Sequence, residues 1–410
     1  MLMLMDRVVM TFLPLYFWGA EAAAAWIILR GWMFLLMSTE GGRAGRLSKR
    51  ISDLLKNGED AIACRAEYSN CQKKMISWSV FIFCGNLLLA SYLNYSNVEL
   101  LGLHISEYYW ECIVITIYAC FYYQSQLAVY GLRGFGEVFR GQMLVNLIKS
   151  IEVAALIILP ILSQGIMVCL VAVTLIRLAA AIYITLLFLL RMTARLSRSR
   201  TDENSSTSER EIGGMITVGY FLYPLYPAVY NFFSVGVVST FLAPIAVVQF
   251  SINKLFGRAI YQLSQVLSRV LWPELLKAPT AEEHSSLAKG VTYTFIKFAL
   301  VVFLISLVVS YFLDGYDMGG AKFSLTLSAT LCVVALLGAV NDVLMSILIS
   351  VERHVIPLFV RFIGLASVFI AVSFVHQLSL IFIAVALAIY ELFFLAFVQL
   401  YKNFGAHSAK

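Results

Sequence analysis

Residues 325–351 read LTLSATLCVVALLGAVNDVLMSILISV, and one charged side chain, Asp342, interrupts them. A helix of that length rises about 40 Å at 1.5 Å per residue, enough to cross the ~30 Å hydrocarbon core of a bilayer. A stretch apolar on every face has no side to turn to water, so it belongs in lipid or among other helices.

Working outward from it, apolar runs of roughly 17 to 25 residues recur at about 3–18, 22–40, 75–94, 110–130, 142–162, 166–190, 214–235, 241–268, 291–313, 355–375 and 380–401, which with the first makes twelve. The first is the thinnest, because Asp6 and Arg7 separate Met1–Met5 from Val8–Trp18. The composition agrees. Of 410 residues, 60% are hydrophobic and 13% charged, and the mean hydropathy is +0.84, whereas a soluble domain carries about a quarter charged residues. The sequence predicts an all-α polytopic membrane protein and excludes an ordinary water-soluble enzyme.

The formal charge of +6 raises the question of nucleic acid, but the basic residues sort by membrane side. With the N-terminus inside, the loops 41–74, 131–141, 191–213, 269–290 and 352–354 and the C-terminal tail hold 21 Lys and Arg, and the opposite loops hold one, Lys322. Positive charge gathers on the cytoplasmic side of membrane proteins, so both termini are expected in the cytoplasm and no nucleic acid is called for. The seven cysteines, at 64, 71, 84, 112, 120, 169 and 332, lie in apolar runs or in the first basic loop and form no disulfide framework.

Two cytoplasmic segments resemble each other: Leu47-Ser48-Lys49 followed by Asp53-Leu54-Leu55-Lys56, and Leu267-Ser268-Arg269 followed by Glu274-Leu275-Leu276-Lys277. Each follows the second helix of a set of six. The chain therefore divides into an N-terminal bundle (1–200), a polar cytoplasmic linker (201–212) and a C-terminal bundle (213–410) of the same membrane orientation. Such a parallel repeat places a binding site between two six-helix bundles that give alternating access to it, as in a V-shaped transporter.

Eight basic residues fall within the spans, Arg7, Arg30, Lys149, Arg177, Lys254, Arg258, Lys297 and Arg361, against four acids, Asp6, Glu152, Asp342 and Glu391. A charge at mid-bilayer costs about 2.5 to 3.5 kcal/mol and turns toward protein or a watery cavity; an excess of positive charge there asks for an anion. Arg30, Arg177 and Lys254 lie deepest and are the first candidates to bind substrate, followed by Lys149, Arg258 and Arg361. Lys149 and Glu152 also sit three apart on one helical face and can neutralise each other, and Arg258, Lys297 and Arg361 are near enough to helix ends to snorkel. Asp342 and Glu391 are candidates for coupling to a proton or sodium ion; the competing reading is a fixed ion pair with Arg361 or Lys254. In the seventh span, Pro224 and Pro227 interrupt a Tyr-rich stretch running from Gly219 to Asn231. Two prolines remove helical hydrogen bonds and make this the expected hinge.

No phosphate-cradling Gly-rich loop is present, so the protein is no P-loop motor. The histidines at 104, 284, 354, 376 and 407 are scattered, so no metal or other cofactor is expected. The outer loops are short, which counts against a membrane enzyme.

The stretches Phe12-Leu13-Pro14-Leu15, Gly19-Ala20-Glu21-Ala22 to Trp26, and Gln265-Val266-Leu267-Ser268-Arg269-Val270-Leu271-Trp272-Pro273-Glu274-Leu275, with Glu282, Glu283 and His284 after them, resemble Wzx-like polysaccharide flippases of the multidrug, oligosaccharidyl-lipid and polysaccharide exporter superfamily. The resemblance implies a carrier in the bacterial inner membrane that moves an undecaprenyl-pyrophosphate-linked oligosaccharide to the periplasmic leaflet for O-antigen, capsule or exopolysaccharide assembly. Polysaccharide polymerase and chain-length proteins are the partners it implies. A pyrophosphate suits a cavity lined with arginine. A multidrug exporter of the same superfamily, moving amphiphilic cations, and a membrane polymerase or ligase are the alternatives.

Overall fold

The computed structural model describes residues 2–40, 42–56, 61–96, 99–100, 103–104, 106–162, 164–196, 214–277, 281–350, 354–375 and 378–407. The expected linker at 201–212 lies outside them. So do the side chains of Asp6, Arg7, Trp272, Pro273, Glu274, Glu282 and His284, although the backbone there is helical.

Among the described residues there are twelve helices: α1 (Leu2–Ser38), α2 (Arg43–Lys56), α3 (Ala61–Ser96), α4 (Tyr109–Gly134), α5 (Val138–Ile161), α6 (Ile166–Leu196), α7 (Gly214–Phe241), α8 (Pro244–Lys277), α9 (Ala281–Phe312), α10 (Leu325–Ser350), α11 (Val355–Ser373) and α12 (Leu380–His407). They do not map one to one onto the twelve expected spans. The first two spans share α1, which is interrupted at Gly19, where φ is 83° and ψ is 178°. Only glycine holds that conformation without a side-chain clash. The bend is sharp: the Trp18 and Trp26 rings meet at 5.7 Å, although eight residues of straight helix would separate them by about 12 Å. The extra helix is α2, amphipathic and too polar to span. By length and composition, nine of the described helical stretches can cross a membrane, and the protein is a multi-pass membrane protein.

Helix ends differ from the apolar runs in a consistent way. α3 begins at Ala61 where the run begins at 75, and α8 continues to Lys277 where the run stops at 268. Hydropathy marks the part of a helix that lipid touches. Backbone hydrogen bonding continues into water wherever a packed face sustains it, as Cys64, Tyr68 and Met75 do for α3, all buried and spaced four and seven apart.

The chain forms two compact units. The first comprises Met1–Trp18, Ala25–Gly213 and Tyr220–Phe233; the second comprises Gly19–Ala24, Gly214–Gly219 and Ser234–Lys410. In the first, α4 is central and packs on α2, α3, α5 and α6; in the second, α10 packs on α8, α9 and α12. Close approach of backbones marks both hubs. A Cβ on Gly134 of α4 would stand 2.8 Å from Ile51 and 2.9 Å from the Ser48 carbonyl of α2, and one on Gly257 of α8 would stand 2.8 Å from Ala335 and 2.9 Å from the Leu331 carbonyl of α10.

The parallel repeat is visible in the connections. A two-residue antiparallel hairpin joins α3 to α4, pairing Glu99 with His104 and Leu100 with Leu103. A second joins α9 to α10, pairing Asp317 with Lys322 and Met318 with Ala321. The offset is 218 residues (99 to 317, 104 to 322), close to that of the two similar loop segments. In the second unit Asn253 of α8 fixes the hairpin, donating to the Lys322 carbonyl at 3.2 Å and accepting from Ser324 N at 3.0 Å and Ser328 Oγ at 2.6 Å.

Candidate functional site

Among the described residues, each unit buries an ion cluster. In the first unit, Glu152 of α5 faces Arg177 of α6 at 2.5 Å through its Oε1. The Tyr118 hydroxyl of α4 donates to the same oxygen at 3.0 Å and accepts from Arg177 Nη2 at 2.9 Å, closing a three-membered ring of contacts. Lys149 Nζ lies 3.7 Å from the other oxygen, Oε2. The Arg177 guanidinium also sits 5.2 Å and 5.3 Å from the Tyr118 and Tyr122 ring centres, where the aromatic quadrupole favours a cation. Glu152 and Arg177 are buried, and Lys149 is half-buried.

In the second unit, Arg361 of α11, with 1% of its surface exposed, donates from Nη1 to Asp342 Oδ1 of α10 at 2.7 Å. Its Nη2 lies 3.5 Å from Glu391 Oε2 of α12. Asn341 holds Glu391 from the side, donating to Oε2 at 2.7 Å and to the backbone carbonyl at 3.0 Å. Tyr261 of α8 stands beside Asp342, and the Tyr390 hydroxyl donates to the Arg361 carbonyl at 2.8 Å. Arg361 also stacks 5.0 Å over Phe394. Burial of a charge is tolerable when it is paired and its remaining hydrogen-bonding groups are satisfied, and both clusters supply neutral polar neighbours as well as opposite charge.

Within each unit the structure sets some of the expected basic residues against acids. Of the six basic candidates, Lys149, Arg177 and Arg361 face carboxylates. Asp342 and Glu391, the candidates for ion coupling, both lie against Arg361, at 2.7 Å and 3.5 Å. Lys254 is half-buried; its Nζ donates to Ser234 Oγ at 2.8 Å and lies 5.5 Å from the Phe250 ring. Arg258, one turn further along α8, and Arg30, 5.9 Å over the Trp26 ring, are also half-buried. Lys297 is exposed beside Tyr293.

The expected hinge lies inside α7, which stays helical from Gly214 to Phe241 through both Pro224 and Pro227. Asn231 Nδ2 caps the Pro227 carbonyl at 2.7 Å. Tyr226 and Tyr230 are packed inward with ring centres 6.0 Å apart. No disulfide joins any of the cysteines. Among the described residues, no three His, Cys, Asp or Glu side chains gather as a metal would require.

Tyr118, Tyr261 and Asn341 are the cluster members that the sequence does not announce. An intramembrane charge stands out in an apolar run, whereas a Tyr or Asn does not. The nearest visible partner for Glu152 is Lys149, three residues away; Arg177 lies 25 positions along the chain (152 to 177) and meets it only through α5–α6 packing.

No family model matches the sequence, and no curated protein does. Solved structures do. The inward-facing conformation of a multidrug resistance MATE family transporter of the MOP superfamily superposes with a TM-score of 0.64 at 14% identity, covering 97% of this chain and 94% of that one. The chain has the MATE transporter fold. The MATE multidrug transporter DinF-BH gives 0.64 at 15% identity over 97% and 92%. A MOP superfamily transporter from Pyrococcus furiosus, described as having a binding pocket of reverse polarity that suggests a different function, gives 0.63 at 15% over 97% and 93%. At such identities the likeness to MATE transporters concerns the fold, which is the one expected for the superfamily from the sequence; it does not single out the polysaccharide branch.

Proposed function

We propose that this chain is a secondary exporter that carries an amphiphilic organic molecule of the drug type across a bacterial inner membrane by alternating access. One observation carries the choice of cargo. The case for a pyrophosphate rests on the six intramembrane basic candidates acting on the cargo together. Lys149 and Arg177 meet Glu152, and Arg361 meets Asp342 and Glu391, so three basic residues are balanced by three acids. Arg30, Lys254 and Arg258 remain from the basic set. The transporters that share the fold, two of them described as multidrug proteins, support the same reading.

The Asp342–Arg361–Glu391 group holds two carboxylates against one guanidinium and is the proposed place where a proton or sodium ion couples to transport. Arg30 and Lys254 are the proposed cargo contacts in their respective units, and the Pro224–Pro227 segment is the proposed hinge.

Lipid-linked oligosaccharide flipping is the second reading. It is favoured by the Wzx-like stretches around Gly19 and Trp272 and by Lys254 and Arg258, which stand one turn apart on α8 as a pair of cations suited to phosphate. Under it, polysaccharide polymerase and chain-length proteins are the partners. A deletion strain separates the readings. Slower efflux of a cationic dye, restored by the gene, supports drug-type export. Unchanged efflux with accumulation of lipid-linked sugar intermediate on the cytoplasmic side would replace it with flipping.

A further inference from the structure

The face that α2 turns toward α3 is basic. Ala44, Leu47 and Ile51 are buried, with Ile51 and the Ser48 carbonyl against Gly134 of α4. On another face Arg43, Arg46 and Arg50 recur at i, i+3 and i+7, one stripe of a helix. The facing stripe of α3 carries Glu67, Cys71, Lys74 and Trp78 at i, i+4, i+7 and i+11. The two stripes meet. The Arg43 guanidinium lies 4.5 Å over the Trp78 ring, Arg50 Nε is 3.7 Å from Glu67 Oε1, and Cys71 is in electrostatic reach of Lys74, Arg46 and Arg50. The groove holds four basic groups. Glu67 offsets one, and Glu40, which accepts from Ala44 N at 3.1 Å at the start of α2, stands beside Arg43. Among the described residues two positive charges are left over, in positions that are half-buried at Arg43 and Arg46 and exposed at Arg50 and Lys74.

The length of α3 leaves room for the groove at a membrane surface. That helix has 36 residues and is about 54 Å long, well beyond the hydrocarbon thickness. Apart from Ile62, which is 64% exposed, its large outward apolar side chains begin at Ile76 and continue through Val80 and Phe81, which are 49%, 56% and 64% exposed. Trp78 stacks on Phe81 at 5.3 Å at the level where tryptophan prefers to lie, between headgroups and acyl chains. Lys74 is the turn just before it. A ligand here would find phosphate-pairing arginines at one end and an acyl-binding helix face at the other.

We propose that the α2–α3 groove binds the phosphate headgroup of an anionic phospholipid of the cytoplasmic leaflet, with Arg43, Arg46, Arg50 and Lys74 on the phosphate and the acyl chains along Ile76, Val80 and Phe81. The adjoining apolar face selects a lipid over a free phosphate or an acidic peptide. This site lies wholly in the first unit and does not depend on the cargo reading.

The test uses the purified full chain in neutral detergent and native mass spectrometry, titrating phosphatidylglycerol, phosphatidylcholine of the same acyl chains, or undecaprenyl phosphate. Phosphatidylglycerol should be retained about tenfold more tightly than phosphatidylcholine, as expected for charge-assisted contacts. The preference should collapse in Arg43→Gln/Arg46→Gln/Lys74→Gln and persist in Lys289→Gln/Lys297→Gln on α9. Where the triple variant does not fold, Lys74→Gln alone should lower the preference several-fold, because its exposed side chain carries no packing. An unchanged preference in a folded variant would overturn the site. Undecaprenyl phosphate held much more tightly than phosphatidylglycerol would overturn the bilayer-lipid assignment and make the groove a cargo entrance. Soluble glycerol phosphate, run in parallel, should not compete; full competition would sink the role of the apolar face.

Discussion

Arg177 of α6 and Glu391 of α12 occupy matching positions, each eleven residues beyond the first residue of its helix (166 to 177, 380 to 391), and they carry opposite charge. Each is buried, and each finds a partner on the preceding helix: Glu152 on α5 for Arg177, Arg361 on α11 for Glu391. The repeat thus keeps a buried pair between its fifth and sixth helices while reversing the sign. Coulomb attraction is indifferent to which helix carries which charge, provided that both partners are exchanged together. The balance of the two clusters differs, with two cations on one carboxylate in the first unit and two carboxylates on one guanidinium in the second.

Breaking such a pair from one side is costlier than removing it whole, because the partner left behind keeps its desolvation penalty. Glu152→Leu should destabilise the first unit by about 3–5 kcal/mol, and Glu152→Leu/Arg177→Leu should regain a substantial part of that loss. Thermal unfolding of the purified protein in detergent reads both. A double variant no more stable than the single one would mean that the two side chains are not coupled.

In the second unit the asymmetry predicts an order. Arg361→Met abandons two carboxylates at once and should give little folded protein. Glu391→Gln should be tolerated, since Arg361 keeps Asp342 at 2.7 Å and the amide oxygen can still accept from Asn341. If the cluster couples an ion to transport, Glu391→Gln should also uncouple efflux from an imposed proton or sodium gradient in proteoliposomes while leaving passive substrate binding in place. Gradient-driven efflux equal to that of the parent protein would remove the cluster from the coupling role.

The legible and illegible parts of this protein divide along physical lines. The run that opens at Leu325 forms α10, Leu325–Ser350, because an unbroken apolar stretch of that length has few other destinations. The short segments Leu47–Lys56 and Leu267–Lys277 announce the repeat that the paired hairpins at Glu99 and Asp317 display in backbone. Gly19 is harder to interpret: in sequence it is one small residue between two apolar runs, and its positive φ emerges only from the turn it makes. The water-borne end of α3 is invisible to hydropathy. The charge partners are the least legible, since Arg177 and Glu152 are joined by a helix contact and Lys149 offers the nearer, weaker alternative at 3.7 Å.

Glycine at two helix crossings makes a packing prediction. Gly134→Ala would drive a methyl group to 2.9 Å from the Ser48 carbonyl, and Gly257→Ala would do the same against the Leu331 carbonyl. Backbone does not move aside as a side-chain tip does, so each should cost about 1–3 kcal/mol as overpacking. Gly45→Ala, with open space around its position, is the control and should be neutral or slightly stabilising, because alanine favours helix. Unfolding midpoints of the three variants, compared in one detergent, check the order.

The basic residues predict a split between folding and transport. Arg177 is tied to Glu152 and Tyr118, so Arg177→Ala should lower the amount of protein in the membrane before any transport defect can be read. Lys254 donates to a neutral hydroxyl, that of Ser234, and Lys254 and Arg30 are half-buried where Arg177 is buried; Lys254→Ala and Arg30→Ala should therefore lower the amount of protein in the membrane less than Arg177→Ala does. Their export rates should fall several-fold if these side chains meet the cargo. Because a lost ionic contact to cargo weakens binding more than turnover, the fall should appear mainly as a raised KM. Immunoblots of membrane fractions, with concentration-dependent efflux from the same cells, separate the two effects. Normal export by the Arg30→Ala/Lys254→Ala double variant would take both residues out of the cargo path.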